Sequence, residues 1–521
     1  MNRLNFITIL IIRIGVILSL LGFISSVASA LEPVHIIKPI DAGSILDANS
    51  LSSEDFQYNL GEQRYTGLRT LFLLPQDPFF KQQWYFHNRG QKDSKGEIGL
   101  VEADIKILPA LEVFQPRSEI VIAVIDSGLD LNHEDISPDS LWINKGELGI
   151  DQNGNRKESN GIDDDGNGYI DDLNGWNFVK DIHDVQDRHY HGTHVGALLA
   201  AVANNNIGMS GGFNYVKLML LKIFDLGGTA KRQQIAKAIT YACNNGAKII
   251  NASWGSRYKS EEIKSAISAC HEKGVLFVGA AGNSRRNMNI EPDYPSAYDF
   301  ENQIIVSATD NKDRPATFSN YGSMVDIAAP GNAILSLLPK NKYRAFSGTS
   351  QATPLVAGAA ALLWAQQPEL NHLQVKQRLL STADQRIALK RWVSSAARLN
   401  IYNLLTNQQG EKLKDLVNPN WHTKPYLLES LHPYAYNTDK IYEISIPGAS
   451  YIKVFFERFQ LDKYSDTLTM TSKNGQIIEH LNTNLGSFWS EAIPGDKVLM
   501  RLKTNDKVND WGFKITKVQY Q

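Results

Sequence analysis

The chain has few of the residues that build disulfide frameworks or structural zinc sites. Only two cysteines, Cys243 and Cys270, occur among 521 residues, which excludes a disulfide-rich fold and any structural zinc site that does not use several histidines. They end two predicted helices, and the sequence is compatible both with a disulfide between them and with two buried free thiols. Neither charge is in excess, since 53 Lys and Arg oppose 55 Asp and Glu. Nucleic-acid-binding proteins normally show a basic excess or face, and this class is not expected.

Long apolar runs are confined to the N-terminus. Arg3 precedes an uncharged apolar stretch over residues 14–24, and Ala28-Ser29-Ala30 has the small-residue pattern of a signal-peptidase site. Arg13 interrupts the apolar run, whereas a membrane-spanning helix needs about 20 apolar residues. We predict a signal peptide over residues 1–30, with an uncleaved anchor as the alternative. The mature protein is expected to be exported and to have no membrane span.

The middle of the chain alternates short apolar runs with amphipathic stretches. Strands are predicted at Ile120–Ile125, Lys217–Ile223, Lys248–Ser253 and Val275–Ala280, and helices at Gln233–Cys243 and Glu261–Cys270. Strands that alternate with helices form a parallel sheet with helices on its faces. We therefore predict an α/β domain over residues 76–405, and expect its ligands at the carboxyl ends of the strands.

The composition and the hydrophobic pattern of the sequence change after Leu405. A polar connector is predicted over residues 406–440, and strand-like runs then recur between turn signals such as Pro447-Gly448 and Pro494-Gly495. This pattern predicts a small antiparallel β-domain over residues 441–521.

Three motifs within the α/β domain combine into one chemistry. An apolar strand ends in Asp126, the segment His191-Gly192-Thr193-His194 opens a helix of small residues, and Gly348-Thr349-Ser350 leads into an apolar helix. Alone, Asp126 is typical of a strand-end cap, and Ser350 of a helix N-cap. Together they supply what a serine nucleophile needs: a base that takes its proton and a carboxylate that fixes the tautomer of that base. The order Asp, His, Ser along the chain is one of the known triad orders.

Over roughly residues 77–405 these motifs resemble those of the subtilisin-like serine proteases, the subtilases. The resemblance implies Asp126 as the orienting carboxylate, His191 as the general base and Ser350 as the nucleophile. It places the oxyanion-hole asparagine at Asn283, where a fixed donor would stabilise the charge on the scissile carbonyl oxygen. It thus implies a subtilisin-like parallel sheet flanked by helices and an exported endopeptidase that acts on protein or peptide substrates.

The resemblance also implies two places of substrate contact. Ser253, Trp254 and Gly255 match the edge segment that pairs with the extended backbone of a substrate by β-strand addition. Asp293 matches a position near the floor of the pocket for the residue before the cut. A carboxylate there would favour Lys or Arg in the substrate, and the alternative is a solvent-facing loop residue.

Two structural calcium sites are implied. The first is a loop with an EF-hand-like spacing of oxygen ligands: Asp163, Asp165, Asn167 and Asp171. Its twelfth position is Asn174 instead of a bidentate Glu, so a solvated turn is the alternative. The second matches positions where many subtilases bind calcium: Asp77, Asp135 and Asn205. Calcium at these sites would stabilise surface loops without entering the chemistry.

The segments outside the α/β domain have weaker counterparts in the family. Residues 31–75 lie where subtilases carry an inhibitory pro-segment, but the stretch is shorter than the usual inhibitor domain, so a short pro-segment or a plain extension is predicted. The C-terminal domain resembles a CUB-like jelly roll, a β-sandwich in which Asp462, Asp466 and Asp506 would share a calcium ion. Ordinary strand-end carboxylates are the favoured alternative. This domain could bind a substrate, a surface or the catalytic domain itself.

Two rival functions follow from the same residues. His189, His191 and His194 have a spacing that can surround zinc, which would activate water directly. That hypothesis leaves the Asp126, Asn283 and Ser350 segments unexplained. A degenerate protease that serves as a binding module is the non-enzymatic alternative, and the complete set of catalytic residue types argues against it.

Overall fold

A computed structural model describes the backbone of residues 34–36, 40–41 and 46–47, and both backbone and side chains of residues 74–213, 215–413, 421–462, 466–475, 477–481 and 484–521. The predicted signal peptide and most of the predicted pro-segment lie outside the described residues. Within these ranges, no helix is long and apolar enough to cross a membrane.

The described α-helices are α1 (Ile107–Val113), α2 (His191–Ala200), α3 (Arg232–Asn244), α4 (Glu261–Glu272), α5 (Thr349–Gln366), α6 (His372–Thr382) and α7 (Ile401–Thr406). The predicted helices correspond to α3 and α4. Helix α4 starts after Ser260, whose side chain accepts a hydrogen bond from the backbone N–H of Ile263. Helix α5 is apolar on all sides, and almost all of it is buried in the centre of the domain.

The strands before residue 413 are β1 (Val34–Ile36), β2 (Ile40–Asp41), β3 (Leu46–Asp47), β4 (Ile120–Asp126), β5 (Gly175–Asn177), β6 (Val216–Lys222), β7 (Thr229–Ala230), β8 (Ile249–Ala252), β9 (Trp254–Gly255), β10 (Leu276–Ala280), β11 (Gln303–Thr309), β12 (Ile327–Pro330), β13 (Ile334–Leu338), β14 (Lys342–Ser347), β15 (Asp384–Gln385) and β16 (Ala397–Arg398). The later strands are β17 (His422–Glu429), β18 (Asp439–Ser445), β19 (Tyr451–Gln460), β20 (Thr467–Ser472), β21 (Ile477–Leu481), β22 (Phe488–Trp489), β23 (Ile493–Pro494), β24 (Lys497–Lys503) and β25 (Gly512–Tyr520).

The central sheet has the strand order β15-β16-β12-β11-β10-β8-β4-β6-β5 and is parallel except for β15. Side chains alternate between its two faces. In β4, Ile122 and Val124 join the core beneath α2 and α5, whereas Ala123 and Ile125 join the core beneath α3 and α4. Helices cover both faces, which explains the continuous apolar runs in the strand sequences. The predicted α/β fold is confirmed.

The two cysteines form a disulfide. Cys243 at the end of α3 and Cys270 in α4 have Cα atoms 5.6 Å apart, within the range that a disulfide can bridge. The bond closes a loop between neighbouring helices on one face of the sheet. Such a loop stabilises a fold by about 3 kcal/mol in chain-entropy terms.

The C-terminal residues form two antiparallel sheets. Strands β17, β25, β19 and β22 follow one another in the first sheet, and β18, β24, β20 and β21 in the second. Ile444, Phe456, Leu468, Met500 and Ile515 lie in the core that the two sheets share, and the predicted β-sandwich is confirmed. The sandwich begins earlier than predicted, because β17 lies inside the predicted linker. That strand exposes most of its residues, so its sequence carries little apolar alternation.

Candidate active site

Three predicted site residues follow neighbouring strands of the central sheet. Asp126 is the last residue of β4, Ser253 follows β8, and Asn283 comes three residues after β10. These strands are parallel and adjacent in the order β10-β8-β4. Their carboxyl ends therefore lie at one edge of the sheet, where ligands of α/β folds bind.

Asp126 and His191 form a buried pair. Nδ1 of His191 lies 2.9 Å and 3.0 Å from the two carboxylate oxygens of Asp126, and both side chains are fully buried. The backbone N–H of Ser127 donates a further bond to Asp126 at 2.7 Å. A carboxylate held in this way fixes the proton on Nδ1 and leaves Nε2 as the base.

A carboxylate that the sequence analysis did not single out, Asp187, anchors the start of α2. It accepts bonds from the backbone N–H of Thr193 at 2.9 Å and of His189 at 2.8 Å, and from the hydroxyl of Ser127 at 3.0 Å. The Ser127 hydroxyl in turn accepts from the N–H of Gly192 at 2.8 Å. Asp187 thereby ties the end of β4 to the helix that carries His191. An Asp shortly before a helical run is the one available sequence signal for such a role.

Ser350 lies in the first turn of α5, where the side chain of Ser253 replaces a missing helical hydrogen bond. Pro354 has no N–H, so it cannot donate the helical bond to the carbonyl oxygen of Ser350. The hydroxyl of Ser253 donates to that oxygen instead, at 3.0 Å. This bond links Ser350 to the segment after β8.

The side chain of Asn283 is oriented by Thr349, the residue before Ser350. Its Oδ1 accepts from the backbone N–H and the hydroxyl of Thr349, at 2.9 Å and 3.0 Å. The hydroxyl of Thr349 also accepts from the N–H of Gly282 at 3.1 Å. Two donors on the amide oxygen fix the plane of the amide, and its nitrogen lies on the side of the group away from Thr349.

Helices α2 and α5 pack against each other and carry His191 and Ser350 in their first turns. Gln351 and His194, which follow in the same turns, have side-chain nitrogens 3.4 Å apart. Among the described atoms, Nε2 of His191 is buried and has no hydrogen-bond partner. The hydroxyl of Ser350 donates to the carbonyl oxygen of Ser253 at 3.1 Å. Nucleophilic attack requires this hydroxyl to turn to Nε2, and catalytic bonds often form only with substrate bound.

The zinc hypothesis is not supported by the positions of the three histidines. His189 stacks on the ring of Tyr190, Nδ1 of His191 binds Asp126, and Nε2 of His194 binds the carbonyl oxygen of Arg344 at 3.0 Å. In the part of the chain that is described, the one group of three or more His, Cys, Asp or Glu with convergent ligand atoms is acidic and contains no histidine.

The predicted substrate edge is paired with the chain's own N-terminal segment. Trp254 and Gly255 of β9 lie opposite Ile36 and His35 of β1 in antiparallel register, and β1 pairs with β7 on its other side. Nε1 of Trp254 donates to the carbonyl oxygen of Ile125 at 2.8 Å, which fixes the edge to β4. The edge therefore accepts an extended strand between β7 and β9.

Asp293 lies behind the loop that carries Asn283. Its carboxylate accepts from the amide of Asn320 at 2.7 Å and lies 3.6 Å from the guanidinium of Arg286. A Cβ atom built on Gly282 would lie 2.9 Å from the same carboxylate, which measures how closely the two segments approach. Burial raises the pKa of Asp293, and Arg286 opposes this rise.

The residues of the first predicted calcium loop bond largely to backbone groups of their own segment. Asp163 accepts bonds from the N–H groups of Asn167 and Gly168 within its own loop, and Asp171 accepts from the N–H of Gly161. Asp165 has convergent ligand oxygens with Glu147 and Asp172, two residues that the sequence analysis did not single out. Glu147 comes from another segment of the chain, and no local spacing could indicate it.

Asp77, Asp135 and Asn205, the residues of the second predicted calcium site, lie together. Asp77 accepts from the backbone N–H of Asn205 at 3.0 Å, and the amide of Asn205 donates to Asp135 at 2.9 Å. Both carboxylates are buried. In the C-terminal domain, Asp462, Asp466 and Asp506 do not form a convergent group among the described residues.

Comparison with known proteins defines the family. The model described as "Subtilase family" matches residues 117–415, more than half of the chain. The chain is 34% identical over 297 residues to the thermophilic serine proteinase of Bacillus sp. (strain AK1), which covers 57% of this chain and 64% of that protein. It is 31% identical over 310 residues to thermitase of Thermoactinomyces vulgaris, covering 60% of this chain and 91% of thermitase. Identity to subtilisin Savinase of Lederbergia lenta is 38% over 215 residues, covering 41% and 78%.

The chain therefore belongs to the subtilase family. This membership confirms the predicted enzyme class, a subtilisin-like serine protease, and neither rival hypothesis is favoured. The roles of individual residues, the substrates, the metals and export stay proposals.

Proposed function

We propose that this protein is an exported serine endopeptidase that cleaves protein substrates through an acyl-enzyme on Ser350. The observation that carries the proposal is the buried pair of Asp126 and His191, whose helix packs against the helix of Ser350. Asn283, held by Thr349, lies at the same edge of the sheet. A base, an orienting carboxylate, a nucleophile and an oxyanion donor are the complete set for acyl transfer.

Each step is assigned to one of these residues. Nε2 of His191 takes the proton of the Ser350 hydroxyl, and Oγ bonds to the scissile carbonyl carbon. The amide of Asn283 donates to the oxygen that becomes negative, while Asp126 stabilises the imidazolium. His191 then gives its proton to the departing amine, and the C–N bond breaks. Water, activated by the same base, hydrolyses the ester on Ser350 and restores the enzyme.

Cleavage of an internally quenched peptide by the purified mature protein tests the proposal. The cleavage should be abolished by a fluorophosphonate and should survive 1,10-phenanthroline, which removes zinc and leaves calcium bound. A protein that is insensitive to the fluorophosphonate and loses its activity to phenanthroline, with recovery on addition of zinc, would overturn it.

Export is part of the proposal and rests on three observations. Residues 1–30 have the composition of a signal peptide. The disulfide between Cys243 and Cys270 is typical of proteins in oxidising compartments. A relative in Bacillus subtilis is named a cell wall-associated protease.

We also propose that residues 31–75 are a pro-segment that blocks the substrate path. Strand β1 runs antiparallel to β9 on the substrate edge, and β2 places Ile40 opposite Ser347, three residues before the nucleophile. Strand β3 continues along β14 opposite Tyr343 and Lys342. The described strands of the segment thus occupy the edge of β9 that the resemblance assigns to the substrate, and the edge of β14, which ends shortly before Ser350.

A synthetic peptide with the sequence of residues 31–47 should inhibit the mature enzyme competitively, because it offers the same backbone to β7, β9 and β14. Initial rates at several substrate concentrations would show KM rising with kcat unchanged. A peptide of the same composition in scrambled order is the control and should inhibit at least tenfold more weakly, on the order of 1.4 kcal/mol. Equal inhibition by the two peptides would contradict the assignment.

Calcium fits the pair of buried carboxylates at Asp77 and Asp135. Burial raises the pKa of Asp135 to about 7, and the charge of Asp77 adds to the rise. A divalent cation bound to both would offset this cost, and the Oδ1 atom of Asn205 would add a further oxygen of the kind that calcium prefers. When bound, calcium would supply charge neutralisation and a clamp between the N-terminal segment and the loop at 203–209.

The group formed by Glu147, Asp165 and Asp172 also fits calcium. Oε2 of Glu147 is buried and has no hydrogen-bond partner among the described residues, and burial raises the pKa of this carboxyl. Asp172 is fully buried as well. We propose that this group, with the loop of Asp163 and Asn167 around it, is the calcium site that the EF-hand-like spacing indicated.

Removal of calcium with EGTA should lower the melting temperature and speed autolysis without changing the inhibitor-labelled fraction of intact protein. At calcium concentrations near 100 times Kd, a site contributes about 2.7 kcal/mol to stability. Thermal unfolding of Asp135→Asn and of Glu147→Gln measures the two sites separately, since each variant should lose only part of the calcium-dependent shift. Asp139→Asn, an exposed carboxylate, is the control. A calcium-independent melting temperature in the parent protein would contradict both sites.

Asp293→Asn should lower kcat/KM for substrates with Lys or Arg before the cut relative to Phe. Because Arg286 already neutralises part of the Asp293 charge, the expected change is modest, about fivefold or 1 kcal/mol. Arg286→Gln should change the same ratio in the opposite direction. Matched substrates that differ in that one residue provide the measurement, and an unchanged ratio in both variants would place Asp293 outside the pocket.

A further inference from the structure

A cleft of about 940 Å³ lies beside the candidate active site, between strand β14 with the turn before it and the loop that leads into α2. Tyr190, which precedes His191, and Phe346 line it together, with ring centroids 5.6 Å apart. The remaining wall is rich in basic side chains, and the proposed function uses none of them. They are Arg188, Lys340, Lys342 and Arg344.

The basic residues of β14 share one side of the strand. Side chains alternate along a strand, so Lys342, Arg344 and Phe346 lie on one side and Tyr343 and Ala345 on the other. Burial follows this alternation, because Tyr343 and Ala345 are core residues, whereas Lys342 is exposed and Arg344 half-buried. The guanidinium of Arg344 lies over the ring of Phe346, 5.8 Å from its centroid. One side of β14 thus presents an aromatic ring and two cations to the cleft.

The two acidic residues of the cleft, Asp130 and Asp187, are buried in hydrogen bonds of their own. Asp130 is 5% exposed and accepts from the amide of Gln186 at 2.6 Å and from the backbone N–H of Lys340 at 2.8 Å. Asp187 is 4% exposed and accepts from three backbone N–H groups and two hydroxyl groups. Lys340 and Lys342, in contrast, are exposed. The charge that the cleft offers to a ligand is therefore positive.

The direction of the chain's own N-terminal segment relates β14 to the scissile bond. Strand β1 pairs with β9, and β2, which comes later in the chain, pairs with β14 and places Ile40 opposite Ser347. Ser350 adjoins both edges, because its hydroxyl donates to the carbonyl oxygen of Ser253, just before β9, and β14 ends three residues before it. A substrate in the same register therefore runs along β9 with the residues before the cut and along β14 with the residues after it.

The same segment places acidic residues at the registers of β14 that line the cleft. Asp41 lies opposite Phe346, whose ring Arg344 covers, and Asp47 lies opposite Lys342. Opposite charges across an antiparallel pair stabilise the pairing, and like charges oppose it. Charge complementarity also selects among partners that have the same backbone. The segment thus has the charge that the cleft favours.

We propose that this basic cleft binds the part of a protein substrate that follows the cut, and that Arg344 and Lys342 select acidic residues there. Ile36 is the last residue paired with β9 and Ile40 the first paired with β14. A cut between these two registers makes the residue at the Asp41 register the second to the fifth after the cut. The preferred substrates are thus proteins with Asp or Glu in those positions. The proposal rests on the proposed function, since a preference after the cut has meaning only in a protease.

Quenched peptides that differ only after the cut test the proposal on the mature protein. At the best of the second to fifth positions, kcat/KM with Asp should exceed that with Lys about tenfold, since one exposed ion pair contributes up to about fivefold. Added salt should lower this ratio. Lys342→Gln and Arg344→Gln should each lower it about threefold, and the double variant should remove it. Lys237→Gln, at an exposed position of α3 outside the cleft, is the control. Equal rates with Asp and Lys at every position, or a ratio that the double variant retains, would overturn the proposal.

A binding measurement separates this proposal from the proposed function. Labelled peptides that begin with the residue after the cut are titrated with mature protein that a small fluorophosphonate has inactivated. Fluorescence anisotropy should give a Kd about tenfold lower for the Asp peptide than for the Lys peptide, and the double variant should lose the difference. Equal Kd values would overturn the proposal. A parent protein that hydrolyses no peptide would refute the proposed function, and the titration, which then needs no inactivation, would decide the preference of the cleft by itself.

Discussion

Replacing Ser350 with alanine is expected to lower kcat/KM for a peptide substrate by about 10⁶-fold, since the acyl-enzyme cannot form without the hydroxyl. The fold should not change, because the helix at this position is held by other groups. Ser350 contributes its carbonyl oxygen to the bond with Ser253, and alanine keeps that oxygen. Initial rates with a quenched peptide measure kcat/KM, and thermal unfolding of the variant shows whether the fold is retained.

Replacing His191 tests whether Ser350 and His191 act as a unit. His191→Ala should cause a loss similar to that of Ser350→Ala, and the double variant should lose no more than either single variant. Ser394→Ala, at an exposed position, is the control and should retain its activity. Multiplicative losses in the double variant would show that the two residues act independently, contrary to the proposed mechanism.

Asp126→Asn is expected to lower kcat by about 10⁴-fold while KM changes little. An asparagine of the same shape can donate a hydrogen bond to Nδ1, which then holds the proton of His191 on Nε2 and removes the base. It also withdraws the negative charge that stabilises the imidazolium. The Asp126 side chain has no exposed surface, so solvent cannot replace it.

Asp130→Asn is a matched control for this variant. Asp130 is also buried after β4, but it bonds to Gln186 and to the N–H groups of Asn132 and Lys340 instead of His191. Its activity should remain close to that of the parent protein. A loss in Asp126→Asn no larger than in Asp130→Asn would contradict the role of Asp126.

The residues of the candidate triad could be predicted because each lies in a short, local motif. Asp126 ends a buried strand, and His191 and Ser350 open helices of small residues, so strand and helix signals place all three at the carboxyl edge of one sheet. The apolar runs of β4, β6, β8 and β10 were equally local. Such features can be predicted from the residues immediately around them.

Residues that act across the fold could not be predicted in this way. Thr349 orients Asn283, and Asp187 accepts from the hydroxyl of Ser127, through bonds between segments that are distant in sequence. Glu147 joins Asp165 and Asp172 from a separate turn. Spacing rules describe ligands within one loop, and a ligand set shared by two segments becomes visible only after folding.

The contact between the catalytic and C-terminal domains, where Lys390 pairs with Glu491, illustrates the same limit. Composition predicts a second domain, and turn signals predict its strands, but neither indicates which surface it covers. Local sequence favours an ordinary strand-end carboxylate at Asp466, but it does not indicate that its oxygens accept from the Tyr434 hydroxyl and the N–H of Asn505. The exposed strand β17 was missed for a related reason, since its pairing with β25 comes from the opposite end of the domain.

Mass-spectrometric mapping of a fluorophosphonate adduct on the purified, mature protein tests the central claim most directly. We predict one adduct per molecule, located on Ser350, and its loss in both Ser350→Ala and His191→Ala, because only an activated serine reacts. An active protein that forms no adduct, or that forms it on another serine, would contradict the account.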